Sequence, residues 1–141
     1  MAKPLSPDEC NCFALRQAAR YVTQIYERHM ALLNLSAAQF TILVKLDRRP
    51  GATMLELAES MVMDRTTLVR ALKPLQRDGL IVTAASQTDA RAFVFSLLES
   101  GQSKLEAACI AWQDAQNEFE TGFGQDRAKA LRTELFSVRA G

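Results

Sequence analysis

Residues 64–82, Asp64-Arg-Thr-Thr-Leu-Val-Arg-Ala-Leu-Lys-Pro-Leu-Gln-Arg-Asp-Gly-Leu-Ile-Val82, decide how the chain reads. Thr66, Arg70, Lys73 and Arg77 recur at i, i+4, i+7 and i+11, so a helix would carry them on one stripe. Leu68, Leu72, Leu75 and Gly79 repeat that spacing two residues later, about 200° round the axis. The spacing therefore predicts a helix with a basic face and an opposite apolar face, one to offer an anion and one to dock on a core. Asp64 is a good N-cap, its carboxylate set to accept from the free N–H of Thr66 or Thr67. Met63 and Leu68 stand where a hydrophobic staple sits. Arg65, Thr66 and Thr67 then occupy a first turn beside the partly positive helix terminus, suited to phosphates and base edges. Gly79 tolerates the left-handed backbone that ends a helix. Pro74 lies inside the pattern and predicts a lost hydrogen bond or a bend near Arg70 and Ala71.

Past Gly79, residues 80–85 and 92–98 are rich in β-branched, aromatic and apolar side chains, with Ser86–Asp89 as turn residues between them. A hairpin that follows a basic-faced helix outlines a winged helix, with Arg91 on the wing. Upstream, three capping boxes punctuate the chain. Ser6-Pro7-Asp8-Glu9 predicts a helix from Ser6 to about Asn34, after a loose arm over residues 1–5. Its apolar residues, among them Cys10, Phe13, Tyr21, Ile25 and Met30, cover more than one side, which suits two partners: its own domain and a second subunit. Ser36-Ala-Ala-Gln39 predicts a helix to Arg48 or Arg49, stopped before Pro50-Gly51. Thr53-Met-Leu-Glu56 predicts a short helix to Ser60 or Met61. Only Val62 and Met63 separate it from Asp64, giving a helix-turn-helix outline whose turn lacks the frequent Gly. Downstream, residues 99–121 predict a long helix broken by Gly122 and Gly124, and residues 126–139 a last one. Burying Trp112 and the Leu and Phe residues of these helices calls for the first and last helices of two chains to intertwine.

Composition narrows the function classes. The chain has 141 residues, 48% of them hydrophobic, enough for one packed domain. No apolar run approaches the ~18 residues of a membrane span, and the N-terminus lacks the layout of a signal peptide, so a cytoplasmic location is expected. Net charge is only +1, while residues 45–91 hold eight Lys/Arg against six Asp/Glu. Nucleic-acid affinity must then come from local arrangement and from doubling the site. With one histidine, His29, and no nucleophile motif or Gly-rich phosphate loop, no catalytic site, metal site or cofactor is expected. Cys10, Cys12 and Cys109 make an odd number, which argues against a disulfide framework. A redox-sensing role for them is the alternative to inert packing.

The order helix, helix, short helix, basic helix, wing, long helix, last helix resembles the MarR family of bacterial transcription regulators over essentially the whole chain. The matching residues are Leu35-Ser-Ala-Ala-Gln39-Phe40, Leu57-Ala58, residues 63–70, Leu75, Asp78-Gly79-Leu80-Ile81 and the wing pair Asp89-x-Arg91. The resemblance implies a mainly α fold with a small β-hairpin wing. It implies an arm and dimerisation helix over 1–34, a DNA-binding lobe over 35–98 and dimerisation helices over 99–141, in one compact chain. It further implies a homodimer on a pseudo-palindromic operator in double-stranded DNA, acting as a repressor released by a small-molecule effector or an oxidative signal. Carried over, Arg65, Thr66, Thr67 and Arg70 meet the major groove, Lys73 a phosphate, and Asp89 with Arg91 the minor groove. Phe13, Tyr21, His29 and Trp112 are the candidates for an effector pocket between dimer helices and lobe. Ala84 and Ala85 replace basic residues at the wing base, and Leu98 replaces a capping Thr. A winged protein-interaction module without specific DNA binding is the competing expectation.

Overall fold

The computed structural model of the protein describes Lys3 and residues 6–139. The expected arm over 1–5 lies outside them except for Lys3. The elements run α1 (Asn11–Met30), α2 (Ala37–Arg48), β1 (Ala52–Thr53), α3 (Met54–Met61), α4 (Arg65–Arg77), β2 (Ile81–Ala85), β3 (Phe93–Leu97), α5 (Glu99–Phe123) and α6 (Gln125–Phe136). The expected mainly helical winged architecture is present. The hairpin carries one strand more than expected: β1 pairs antiparallel with β3, Ala52 opposite Phe95, giving the order β1-β3-β2. Two residues of pairing partnered across the sequence leave no local periodicity to read.

Two capping boxes form as expected. Ser36 Oγ accepts from Gln39 N at 3.0 Å while Gln39 Oε1 accepts from Ser36 N at 2.9 Å. Thr53 and Glu56 make the same reciprocal pair at 3.1 Å each. The first box does not form. Ser6 caps only a single 3-10 turn, Pro7–Glu9, and Cys10 is extended at φ −92°, ψ 112°. The long helix therefore starts at Asn11, with Cys10 Sγ as its cap, accepting from Phe13 N at 3.4 Å. It ends at Met30, followed by a 3-10 turn and by Asn34 in the left-handed region. At the other end Gly122 is helical; the break falls at Gly124 alone, at φ 108°. The last helix runs over 125–136, starting one residue and ending three residues earlier than expected.

The core is built mostly from the lobe, with Met30 of α1 and Leu105 and Ala108 of α5 joining it. Ile42, Leu43 and Leu46 of α2, Leu57 of α3, Leu68, Leu72 and Leu75 of α4, and Phe95 of β3 are all buried. The N-terminus of α5 is locked to the corner between α4 and β2. Leu98 N donates to Leu80 O at 2.9 Å and Ser100 Oγ to Gly79 O at 2.5 Å. A Cβ on Gly101 would meet Leu80 O at 2.0 Å, so only glycine permits this approach. Farther along, α1 packs against α5, where Glu118 accepts from both Arg28 Nη atoms, at 2.9 and 2.7 Å, and lies 3.0 Å from His29 Nε2. Those bonds, the Arg28 pair first, hold the Glu118 carboxyl down at about 2.

Candidate nucleic-acid interface

The interface is built on the start of α4. Asp64 Oδ1 accepts from Thr67 N at 2.7 Å and its Oδ2 from Thr67 Oγ1 at 3.1 Å. The Thr67 bonds hold the Asp64 carboxyl below its ordinary value, and the positive charge of Arg70 adds to the effect. Thr67 thus gives its hydroxyl to the cap, whereas Arg65, Thr66, Arg70 and Lys73 stand exposed. The opposite face buries Leu68, Leu72 and Leu75. The two faces predicted from spacing are the two faces observed. Pro74 does not break the helix: α4 is continuous, and Gln39 Nε2 donates to the Ala71 carbonyl at 3.2 Å, on the turn that Pro74 disturbs. The turn before α4 solves its missing glycine at a cost. Val62 takes φ 53°, ψ 48°, the left-handed region that a β-branched side chain rarely occupies.

The wing presents Arg91. Asp89 Oδ1 accepts from the backbone N–H of Arg91 at 3.0 Å, and Ala92 N donates to Asp89 O at 3.1 Å. Ser86 Oγ accepts from Asp89 N at 3.3 Å, closing the turn from the other side. Asp89 therefore fixes the Arg91 backbone, and the Arg91 guanidinium has no carboxylate partner among the described residues. Gln76 Nε2 donates to Thr83 Oγ1 at 2.6 Å, tying the solvent side of α4 to the base of the wing.

Between α3, the start of α4 and the wing lies a cleft of about 720 Å³. Arg65 and Arg91 line it, together with Asp89 and the apolar Leu55, Phe93 and Phe95. Leu55 and Phe93 are 67% and 60% exposed, unlike the buried Phe95 beneath them. Spacing could have flagged Phe93, since it shares strand parity with core Phe95. Nothing in the sequence marked Leu55.

The residues expected to form one effector pocket do not converge within the chain. Phe13 and Tyr21 share a shallow surface hollow with Arg20 on α1. His29 is tied to Glu118, and Trp112 packs on the lobe core. Phe13 and Tyr21 sit toward the start of α1, His29 at its end and Trp112 on α5. The three cysteines are free thiols; Cys12 and Cys109 are exposed. No cluster of metal-ligating side chains occurs among the described residues.

The family profile described as MarR family matches residues 35–93. The fold is similar to the M. tuberculosis transcriptional regulator MosR in complex with DNA, at 32% identity and TM-score 0.76, covering 92% of this chain and 96% of that one. The chain belongs to the MarR family. A second MarR-type neighbour is the transcriptional repressor CouR bound to a 23-mer DNA duplex, at 27% identity and TM-score 0.84, covering 96% and 98%. The CouR of Rhodococcus jostii RHA1 has also been solved with p-coumaroyl-CoA. Among sequence relatives, the organic hydroperoxide resistance transcriptional regulator of Bacillus subtilis is 31% identical over 97 residues, 69% of this chain. The match spans 66% of that regulator's length. These MarR relatives and neighbours are transcriptional regulators, not enzymes. No single helix among the described residues is long and apolar enough to cross a membrane.

Proposed function

We propose that this MarR-family chain acts as a cytoplasmic homodimer that binds a pseudo-palindromic operator in double-stranded DNA and represses transcription until a signal releases it. One observation carries the reading: Arg65, Thr66, Arg70 and Lys73 are exposed on α4 and Arg91 on the wing, with Arg65 and Arg91 lining the cleft between the two. Each dimer would set its two α4 helices into successive major grooves, about 34–36 Å apart on one DNA face. Arg65 or Arg70, bidentate to guanine, would each add about 1–3 kcal/mol of base discrimination. Lys73 would meet a phosphate, and Arg91, with Asp89 bracing its backbone, would read minor-groove width. Thr67 is better suited to holding the cap than to reading bases.

Dimerisation is supported by large apolar side chains left exposed in one chain: Phe13, Leu15 and Tyr21 on α1, Leu135 and Phe136 on α6, and Val138 just beyond it. The residues divide functionally at 34/35 and 98/99, into dimerisation, DNA-binding and dimerisation parts of one compact chain. For release, the relatives suggest two chemistries, a small organic effector and an oxidant. Cys10, Cys12 and Cys109 would carry the second. Peroxide should then release DNA from the wild type and leave a protein lacking all three cysteines bound; equal release from both removes the thiols from the mechanism.

Nuclease footprinting on the DNA flanking the gene tests the main reading. Two protected half-sites on one face, about one helical turn apart, are expected. An unprotected flank, together with capture of a protein partner by the same chain, would favour the winged interaction module instead.

A further inference from the structure

The cleft between α4 and the wing has an occupant that follows from geometry, given the operator reading above. If α4 enters a major groove and Arg91 the adjacent minor groove, one sugar-phosphate strand separates the two grooves. That strand must cross the space between α4 and the wing, which is this cleft. The cleft is not lined like a phosphate channel throughout. Its cations, Arg65 and Arg91, share it with the Asp89 carboxylate, which accepts from the Arg91 backbone N–H, and with the exposed apolar side chains of Leu55 and Phe93. Phosphates want the cations; the C–H faces of deoxyribose want apolar cover. We infer that Leu55 and Phe93 form an apolar seat for the deoxyriboses of the strand that passes between α4 and the wing, with Arg65 and Arg91 on its phosphates or the adjoining bases.

Two consequences separate this seat from the basic contacts. An apolar contact releases no counterions, so its loss leaves the salt dependence of binding unchanged. A 2′-hydroxyl placed against Leu55 or Phe93 would lose its water without gaining a partner, so the seat discriminates against ribose at that strand. Phe93 would thereby add a preference for DNA over RNA that none of the base-reading residues supplies.

The test is fluorescence anisotropy of the full-length protein on its footprinted operator at several salt concentrations. Leu55→Ala, Phe93→Ala and Phe93→Leu are compared with wild type after circular dichroism has established that each folds. Loss of the apolar cover should weaken binding by at least about fivefold for Phe93→Ala, with Leu restoring much of it and the slope against log salt unchanged. Arg91→Ala, by contrast, should reduce that slope by about 0.9 per subunit. Ribonucleotides at the strand between the grooves should weaken the wild type and cost Phe93→Ala nothing more. If wild type binds the operator while Leu55→Ala and Phe93→Ala bind equally well, the seat is wrong and the operator reading stands. If affinity drops with a reduced salt slope, the side chains act only by holding the cations, and the seat is again wrong. A wild type that binds no duplex overturns both.

Discussion

The winged lobe and the terminal helices are both rich in apolar residues, yet the lobe buries a larger share of what it has. Within 35–98, Leu35, Ile42, Leu43, Leu46, Leu57, Leu68, Leu72, Leu75 and Phe95 close a core, and the helices that supply them are capped by Ser36, Thr53 and Asp64. In α1 the first ten residues are all exposed, and in α6 only Ala128 is buried. Phe136 is 76% exposed. The core is closed with help from Met30 of α1 and Leu105 and Ala108 of α5; the start of α1 and most of α6 lie open, and a second copy is the partner that would cover them. The difference separates what a substitution does to folding from what it does to assembly.

The largest separation should come from Leu72→Ala against Phe136→Ala. Emptying the Leu72 site should cost about 2–5 kcal/mol of folding stability in a denaturant melt. Phe136→Ala should leave the fold of the lobe intact and shift gel filtration toward the monomer. If Phe136→Ala unfolds the lobe cooperatively, the two parts are not distinct in this sense. Next is Gly101→Ala, at the joint where α5 meets the lobe. Its Cβ has no room against the Leu80 carbonyl, so α5 must shift, for about 1–3 kcal/mol in thermal stability. A variant as stable as wild type would mean the joint is loose. Asp64→Ala should cost about 1 kcal/mol, and should weaken DNA binding as well by loosening the first turn of α4.

The smallest expected effect lies in the α1–α5 pair. Glu118 is held at about 2, against an ordinary value of 4.5. A carboxyl lowered on folding stabilises the native state above its unfolded value and loses that contribution as pH falls from 4.5 toward 2. Wild type should therefore lose stability across that window more steeply than Glu118→Gln, as followed by acid melts at low ionic strength. Parallel curves would mean that Arg28 and His29 do not bias the α1–α5 contact.

What was legible in the sequence follows from how local the cause is. The caps at Ser36, Thr53 and Asp64 and the two faces of α4 depend on residues three or four apart, and all could be read. Asp89 bracing Arg91 came with the family resemblance, though its target, the backbone N–H rather than the guanidinium, emerged only in three dimensions. Pairing of β1 with β3 joins residues more than forty positions apart and left no pattern. Cys10 replaced Ser6 as the helix cap because the chain is extended at that one residue, which composition does not disclose. Phe13, Tyr21, His29 and Trp112 form a group only through the resemblance, which implies a pocket between dimer helices and lobe; in the fold α1 and α5 carry them to different neighbours. Leu55 and Phe93 are apolar like core residues, so exposure, which the sequence does not state, was needed to single them out.

The proposed function rests on the exposed edge of α4 and the wing acting on DNA. Its most direct test is titration of labelled operator with wild type, Arg70→Ala and Arg91→Ala at two salt concentrations. Both variants should bind more weakly, Arg70→Ala with relaxed base preference worth about 1–3 kcal/mol and Arg91→Ala with a shallower salt dependence. Wild-type affinity in both variants would contradict the placement of DNA on this face.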